Sequence, residues 1–166
     1  LVFIGNLAHW QNFDYLFELV SKNKDYLITH KIRFDIYGDG KEFDRLSKRL
    51  SDTNITDLVA LKGVIKKADI PSVLSFAAGG VLLDKRFYKG KPLFSPLKMY
   101  EYNLFNKPSF FFTEDTLSPL QTEGFYFING SNFDNLYMLM QNQLEIVHFS
   151  RKWDDVADEF LKKVFN

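Results

Sequence analysis

The run "LVFIGN" (1–6) is apolar on both faces instead of alternating, and it stops at a glycine. A strand with one wet face alternates; a strand covered on both sides does not. Further runs of strand length follow: "IRFDIYGDG" (32–40), "DLVALKG" (57–63), "GGVLLD" (79–84), "PSFFF" (108–112) and "GFYFIN" (124–129). In the second, Ile32, Phe34 and Ile36 share one side. Helical patterns separate the runs. Phe13, Leu16, Phe17 and Val20 recur at i, i+3, i+4 and i+7, and Phe43, Leu46 and Leu50 mark a second helix face. "ADIPSVLSF" (68–76) reads as a short helix with Pro71 in its first turn, and Ser95 to Phe105 as another. "SNFD" has the spacing of a capping box with Ser131 as N-cap, ahead of a helix carrying Phe133, Leu136, Tyr137 and Leu144. Trp153, Val156, Ala157, Phe160, Leu161 and Val164 form the stripe of a last helix. Alternating strands and helices predict one Rossmann-like α/β domain: a parallel sheet of about six strands with helices on both faces.

The 166 residues suffice for one core that hides roughly 70% of the unfolded surface. Basic and acidic residues balance at 21 each, so no net field draws the chain to nucleic acid. There is no Cys, which excludes disulfides, thiolate metal sites and thiol nucleophiles. The three His residues lack metal-ligand spacing, so no metal site is expected. No apolar run reaches membrane-span length, and no signal peptide is visible. Because the sequence opens inside a strand without Met, it is read as a piece of a longer polypeptide.

Open parallel sheets bind ligands beyond the carboxyl ends of their strands. The segments to examine are therefore 5–12, 38–41, 62–66, 84–95 and 113–123. "YGDGKEF" (37–43) joins a strand to a helix but lacks the third glycine of the dinucleotide fingerprint. Its glycines suit close approach of a ligand to the backbone, or simply a tight turn. In "SPLKMYEYNLF", Ser95 suits an N-cap and Pro96 the first helical position. Lys98 then sits in the first turn, where a cation opposes the helix dipole unless an anion is bound. Leu97, Tyr100 and Leu104 read as the apolar stripe, and Glu101 falls within it. A carboxylate there needs donors such as sugar hydroxyls. A plain Lys98–Glu101 ion pair at the helix surface satisfies the same spacing. His9 in "GNLAHWQN" and the basic loop "DKRFYKGKP" (84–92) are either phosphate contacts or solvated loop residues.

In this order the motifs resemble the C-terminal, nucleotide-sugar-binding domain of a GT-B glycosyltransferase, close to glycosyltransferase family 4. The resemblance runs through "FIGNL", "FDIYGDG", "ITDLVALKGVI", "KADIPSVLSFAAGGVLLD", "SPLKMYEYNLFNKPSFFF" and "FSRKWDDVADEFL" and covers nearly all of 1–166. It implies one half of a GT-B fold, excised from a two-domain chain whose N-terminal acceptor-binding domain is absent. It implies retaining transfer from a nucleotide diphosphate sugar to a glycan or glycoconjugate, with no cofactor and no metal. Glu101 matches the second acid of the family's Glu-x7-Glu pattern and would hold the ribose. Ser95, Pro96, Leu97 and Lys98 would face the diphosphate, and Gly63, Val64 and Ile65 the base. Gly5 and Asn6 would line the cleft, with Gly38, Asp39 and Gly40 beside it. The first acid's position is Leu93, and the cations that usually follow the first strand are replaced by Asn6 and by Gln11 or Asn12. A cytoplasmic protein is implied, with room for peripheral membrane association at the inner face through the absent half. A glycosyltransferase-like binding module without catalysis and a flavodoxin-like regulatory domain are the alternatives.

Overall fold

A computed structural model of the chain describes residues 1–83, 87–88, 91–92, 97–114 and 125–141. Its strands are β1 (Val2–Ile4), β2 (Phe34–Tyr37), β3 (Val59–Gly63), β4 (Gly80–Leu83), β5 (Phe87–Tyr88), β6 (Lys91–Pro92), β7 (Ser109–Phe112) and β8 (Phe125–Ile128). Six of them form one sheet in the order β3-β2-β1-β4-β7-β8, and every pairing in it is parallel. These six are the six runs expected from the sequence. Within 85–94, which shows no periodicity and reads as a loop, β5 and β6 form a small antiparallel pair.

The helices are α1 (Phe13–Lys22), α2 (Lys24–Thr29), α3 (Phe43–Thr53), α4 (Ile70–Phe76), α5 (Leu97–Leu104) and α6 (Leu136–Gln141). Pro71 lies in the first turn of α4, as its fixed φ favours. Alternate strand residues divide the core in two. Phe3, Phe34, Ile36, Val81, Leu83, Phe110 and Phe112 face the side covered by α1, α2, α3 and α6. Val2, Leu82, Phe111 and Phe125 face the side covered by α4 and α5. The buried Phe rings supply much of the driving force, at about 1.5–3 kcal/mol each.

Three sequence expectations are corrected. α2 was not foreseen: its one fully buried residue, Leu27, leaves no periodic stripe to read. It is closed by Lys31 in the left-handed region, with the Ile32 N–H donating to the Leu27 carbonyl. The Ser131 capping box does not form. The Ser131 hydroxyl donates to Asn129 Oδ1, and Asn132 stands before a short 3-10 turn, Phe133–Asn135, that leads into α6. Finally, the inward face of α5 is not Leu97–Tyr100–Leu104. Leu97 is 64% and Leu104 81% exposed, whereas Tyr102 is 1% exposed, with Met99 and Phe105 packed beside it. Glu101 is therefore exposed, not buried in an apolar stripe. Ser95, Pro96, Leu93, Leu144 and the Trp153 stripe lie outside the described residues.

The turn after α5 follows from "FNKP". Asn106 adopts the left-handed conformation and the Lys107 N–H donates to the Tyr102 carbonyl at 3.0 Å, which ends the helix. Pro108 then leads into β7, and its carbonyl accepts the Gly80 N–H at 2.8 Å. This fixes α5 against the middle of the sheet.

At the carboxyl ends of β1, β2 and β3, three glycines lie side by side. The Gly5 N–H donates to the Tyr37 carbonyl at 3.0 Å, and the Gly38 N–H donates to the Gly63 carbonyl at 2.7 Å. A bulge between Ile36 and Tyr37 sets Gly63 opposite Tyr37. A methyl group on Gly38 would overlap the Gly5 carbonyl oxygen, whereas one on Gly63 would meet open space and only the strain of φ +72°. Gly38→Ala is therefore expected to cost about 2 kcal/mol or more, and Gly63→Ala about 1 kcal/mol. Urea unfolding of the two variants checks this order; equal losses would mean that the strand ends are not packed this closely.

Candidate functional site

β1 and β4 pair at one position, Val2 opposite Gly80. Here the strand order reverses direction, from β1-β2-β3 on one side to β4-β7-β8 on the other. Such a switch point opens a crevice at the carboxyl ends of the two central strands. The strand-end glycines form one wall of that region and α5 the other.

Lys98 reaches into it. Its side-chain end occupies the space a Gly5 methyl would need, with Nζ 2.8 Å from that position, and Nζ lies 5.4 Å from the centre of the Phe3 ring. Phe3 faces the α1 side of the sheet and α5 covers the other side, so the ammonium spans the crevice. Asn6 stands exposed beside it, with its Oδ1 2.6 Å from where a Gly40 methyl would be. Asp39 is exposed and accepts the Gly40 N–H at 2.7 Å, while the Asp39 carbonyl accepts the Leu7 N–H at 2.8 Å. The first-strand loop and the Gly-Asp-Gly turn are thus tied together. Gly5, Asn6, Gly38, Asp39, Gly40 and Lys98 are brought to one end of the sheet.

The remaining candidates are placed less closely. Gly63 joins the glycine row, and Val64 beyond it is 75% exposed, an apolar shelf at the edge of the site. Ile65 follows it, half-buried. Glu101 lies one turn beyond Lys98 on α5, with its carboxylate in solvent. His9 is exposed and packs edge-on against Trp10. Gln11 and Asn12 are buried and hydrogen-bonded. Gln11 Oε1 accepts the Ala8 N–H at 3.2 Å, and Asn12 Nδ2 donates to Glu114 at 2.9 Å. Their role is to brace the loop after β1 against the segment after β7. Among the described residues no cluster of His, Asp and Glu could hold a metal ion, and no helix is long and apolar enough to cross a membrane.

One residue of the site escaped the sequence reading. The Tyr102 ring lies on Gly80, where any side chain would collide with it. Its hydroxyl donates to the Val81 carbonyl at 3.3 Å and accepts the Ile4 N–H at 3.4 Å. It therefore fills the gap between β1 and β4 just below the crevice. The paired glycines 79–80 were its one sequence signal, a hole in the sheet face wide enough for a ring. A cleft of about 680 Å³ lies along β2 and β3 on the side of Phe34 and Val59, where Lys62 pairs with Asp35 at 3.5 Å. It sits away from the switch point and holds none of the converging glycines.

Residues 1–78 match the family model described as "Glycosyl transferases group 1". No curated protein matches the chain. Among solved structures, it is similar to a mutant of S. aureus TarM in complex with fondaparinux, alpha-GlcNAc-glycerol and UDP. That match has 21% identity and a TM-score of 0.60, and covers 98% of this chain and 32% of that one. It is also similar to the apo form of the lipopolysaccharide outer core galactosyltransferase WaaB, with 16% identity, a TM-score of 0.63 and coverage of 99% and 48%. Anabaena HepE in complex with UDP and glucose gives 14%, 0.62, 99% and 47%. The chain thus spans about a third to a half of the length of these proteins.

Burial in the gap pushes the Tyr102 phenol above the ordinary 10.0; the Ile4 N–H opposes this and the charge of Glu101 adds to it. A raised folded-state value means that the stabilisation is complete below pH 10 and is lost as pH rises beyond it. Stability should fall by about 1.4 kcal/mol per pH unit from this group above pH ~10. Tyr102→Phe should flatten the slope to the part due to other phenols held above their ordinary range, such as the half-buried Tyr15. Urea midpoints between pH 8 and 11 give the comparison, and identical slopes would contradict the burial of this hydroxyl. The chain has the Rossmann-like α/β fold of these GT-B structures, with a group 1 glycosyltransferase match over its first 78 residues.

Proposed function

We propose that the chain is the donor-binding half of a GT-B glycosyltransferase, close to family 4, and that it binds a uridine diphosphate sugar at the carboxyl ends of β1, β2 and β3. The observation that carries this is the convergence of Gly5, Gly38 and Gly63 with the ammonium of Lys98 at the switch point. Glycines let a phosphate approach the backbone, and a cation at the start of α5 adds to the helix dipole. UDP is bound by two of the structurally similar proteins, TarM and HepE, which supports the choice of base.

In the proposed mechanism the diphosphate lies between Lys98 and the first turn of α5, where Leu97 begins the helix and Ser95 and Pro96 precede it. Glu101, exposed on that helix, accepts hydrogen bonds from the ribose hydroxyls. The base lies along Gly63, Val64 and Ile65, held mainly by backbone groups. Asn6, Asp39 and Gly40 line the sugar side. Transfer breaks the bond from the anomeric carbon to the β-phosphate oxygen and makes a bond from that carbon to an acceptor hydroxyl oxygen with retained configuration, the hydroxyl proton passing to the leaving diphosphate. The developing negative charge on the leaving diphosphate is stabilised by Lys98 and the helix N-terminus, with no metal required. The acceptor comes from a partner domain, N-terminal in a longer chain, and transfer takes place between the two.

A second reading is favoured by one observation. Gln11 and Asn12 are neutral amides already bonded to the Ala8 N–H and to Glu114, so the segment after β1 offers the diphosphate no cation at these positions. A nucleotide-binding module without transfer activity would need no more than Lys98. Binding is common to both readings, and only assay with the complete protein separates them.

Titration of the chain with UDP, GDP and ADP, followed by amide NMR, tests the site. UDP should shift Gly5, Gly38, Gly63 and residues 97–102. Lys98→Met should weaken UDP binding about 10-fold, the value of one charge-assisted contact, with the fold unchanged. Glu101→Ala should weaken UDP more than it weakens inorganic diphosphate. No response to any nucleotide at millimolar concentration would overturn the proposal.

A further inference from the structure

Tyr102 lies one turn beyond Lys98 on the same helix, α5, and is buried in the sheet, whereas Glu101 faces solvent. The Tyr102 ring rests on Gly80, and its hydroxyl joins β1 at Ile4 to β4 at Val81. The two strands share no further backbone pairing beyond Val2 and Gly80. The residue after Ile4 is Gly5, against which the Lys98 side chain ends. One phenol thus connects the cation-bearing helix to the strand end that the cation must face.

We infer that Tyr102 is a positioning residue, which sets the distance between the Lys98 ammonium and the Gly5 end of β1 and so tunes the site for a diphosphate. The inference rests on the proposed donor site. The ring alone can seat α5 on the sheet, because Gly80 leaves its space free. The hydroxyl adds what the ring lacks: it ties β1 and β4 to the helix at one depth. Without it, Ile4 and Val81 lose a shared partner and β1 is free to shift against α5. Lys98 then keeps its charge but loses its fixed position over the crevice. A residue that served only to fill the core would change stability and leave affinity per folded molecule untouched.

The test is a double-mutant cycle on UDP binding, using the chain itself, Lys98→Met, Tyr102→Phe and the double variant, each shown to be folded by near-UV circular dichroism. Lys98→Met is expected to weaken UDP about 10-fold and Tyr102→Phe about 3- to 10-fold, with the double variant close to Lys98→Met alone. Tyr102→Phe binding UDP as the parent does, or losses that multiply in the double variant, would overturn the inference. Hydrogen exchange without ligand is the second arm. In Tyr102→Phe the Ile4 amide and the α5 amides should exchange faster while β2 and β3 stay protected. Unchanged exchange would overturn the tie itself. If the parent chain binds no UDP, the donor site fails, and the exchange arm still decides whether Tyr102 holds α5 to β1.

Discussion

Between β1 and β4 the sheet is held at one rung of backbone pairing, Val2 opposite Gly80, and above that rung by the hydroxyl of Tyr102. The rest of the arrangement depends on this insertion. Gly80 has no side chain, so the ring can lie flat on β4 and α5 can approach the sheet. With α5 seated, Lys98 reaches the end of β1, and the crevice at the switch point acquires a cation on one wall and glycine backbone on the other. Burial without partners would make a phenol there costly; the Ile4 N–H and Val81 carbonyl satisfy it.

Much of the fold could be read from the chain because strands buried on both faces must be apolar throughout. The three Phe of "SFFF" put an aromatic ring on each face of β7, and all four of its residues, Ser109 included, are buried. The strand order could not be read. Gly5, Gly38 and Gly63 are separately legible as strand-end glycines, but their lying side by side requires the order β3-β2-β1, which local pattern does not encode. The same applies to Lys98, whose meeting with Gly5 crosses ninety-odd residues of sequence.

The errors have local causes. On α5, counting apolar residues at i, i+3 and i+7 selects Leu97, Tyr100 and Leu104, but the helix turns its aromatic Tyr102 inward because the sheet has a hole at Gly80. Leu97 and Leu104 stay in solvent, and Glu101 lies on their face. The puzzle of a carboxylate in a buried stripe therefore dissolves: Glu101 is available to a ligand because it was never buried. At Ser131 the capping-box spacing is present, but Asn129 captures the hydroxyl and Asn132 takes the position before the turn. Gln11 and Asn12 were legible as neutral amides, but not their use as braces, Gln11 to the Ala8 N–H within the loop and Asn12 to Glu114 beyond β7.

The central claim is that Lys98 and the strand-end glycines form a diphosphate site at the switch point. A crystal structure of the chain grown with UDP tests it most directly. The account predicts diphosphate density in contact with Lys98 Nζ at the first turn of α5, facing the strand-end glycines, with the uracil towards Gly63 and Val64. Diphosphate bound instead in the cleft along β2 and β3 beside Arg33 and Lys62, with the switch point empty, would contradict it.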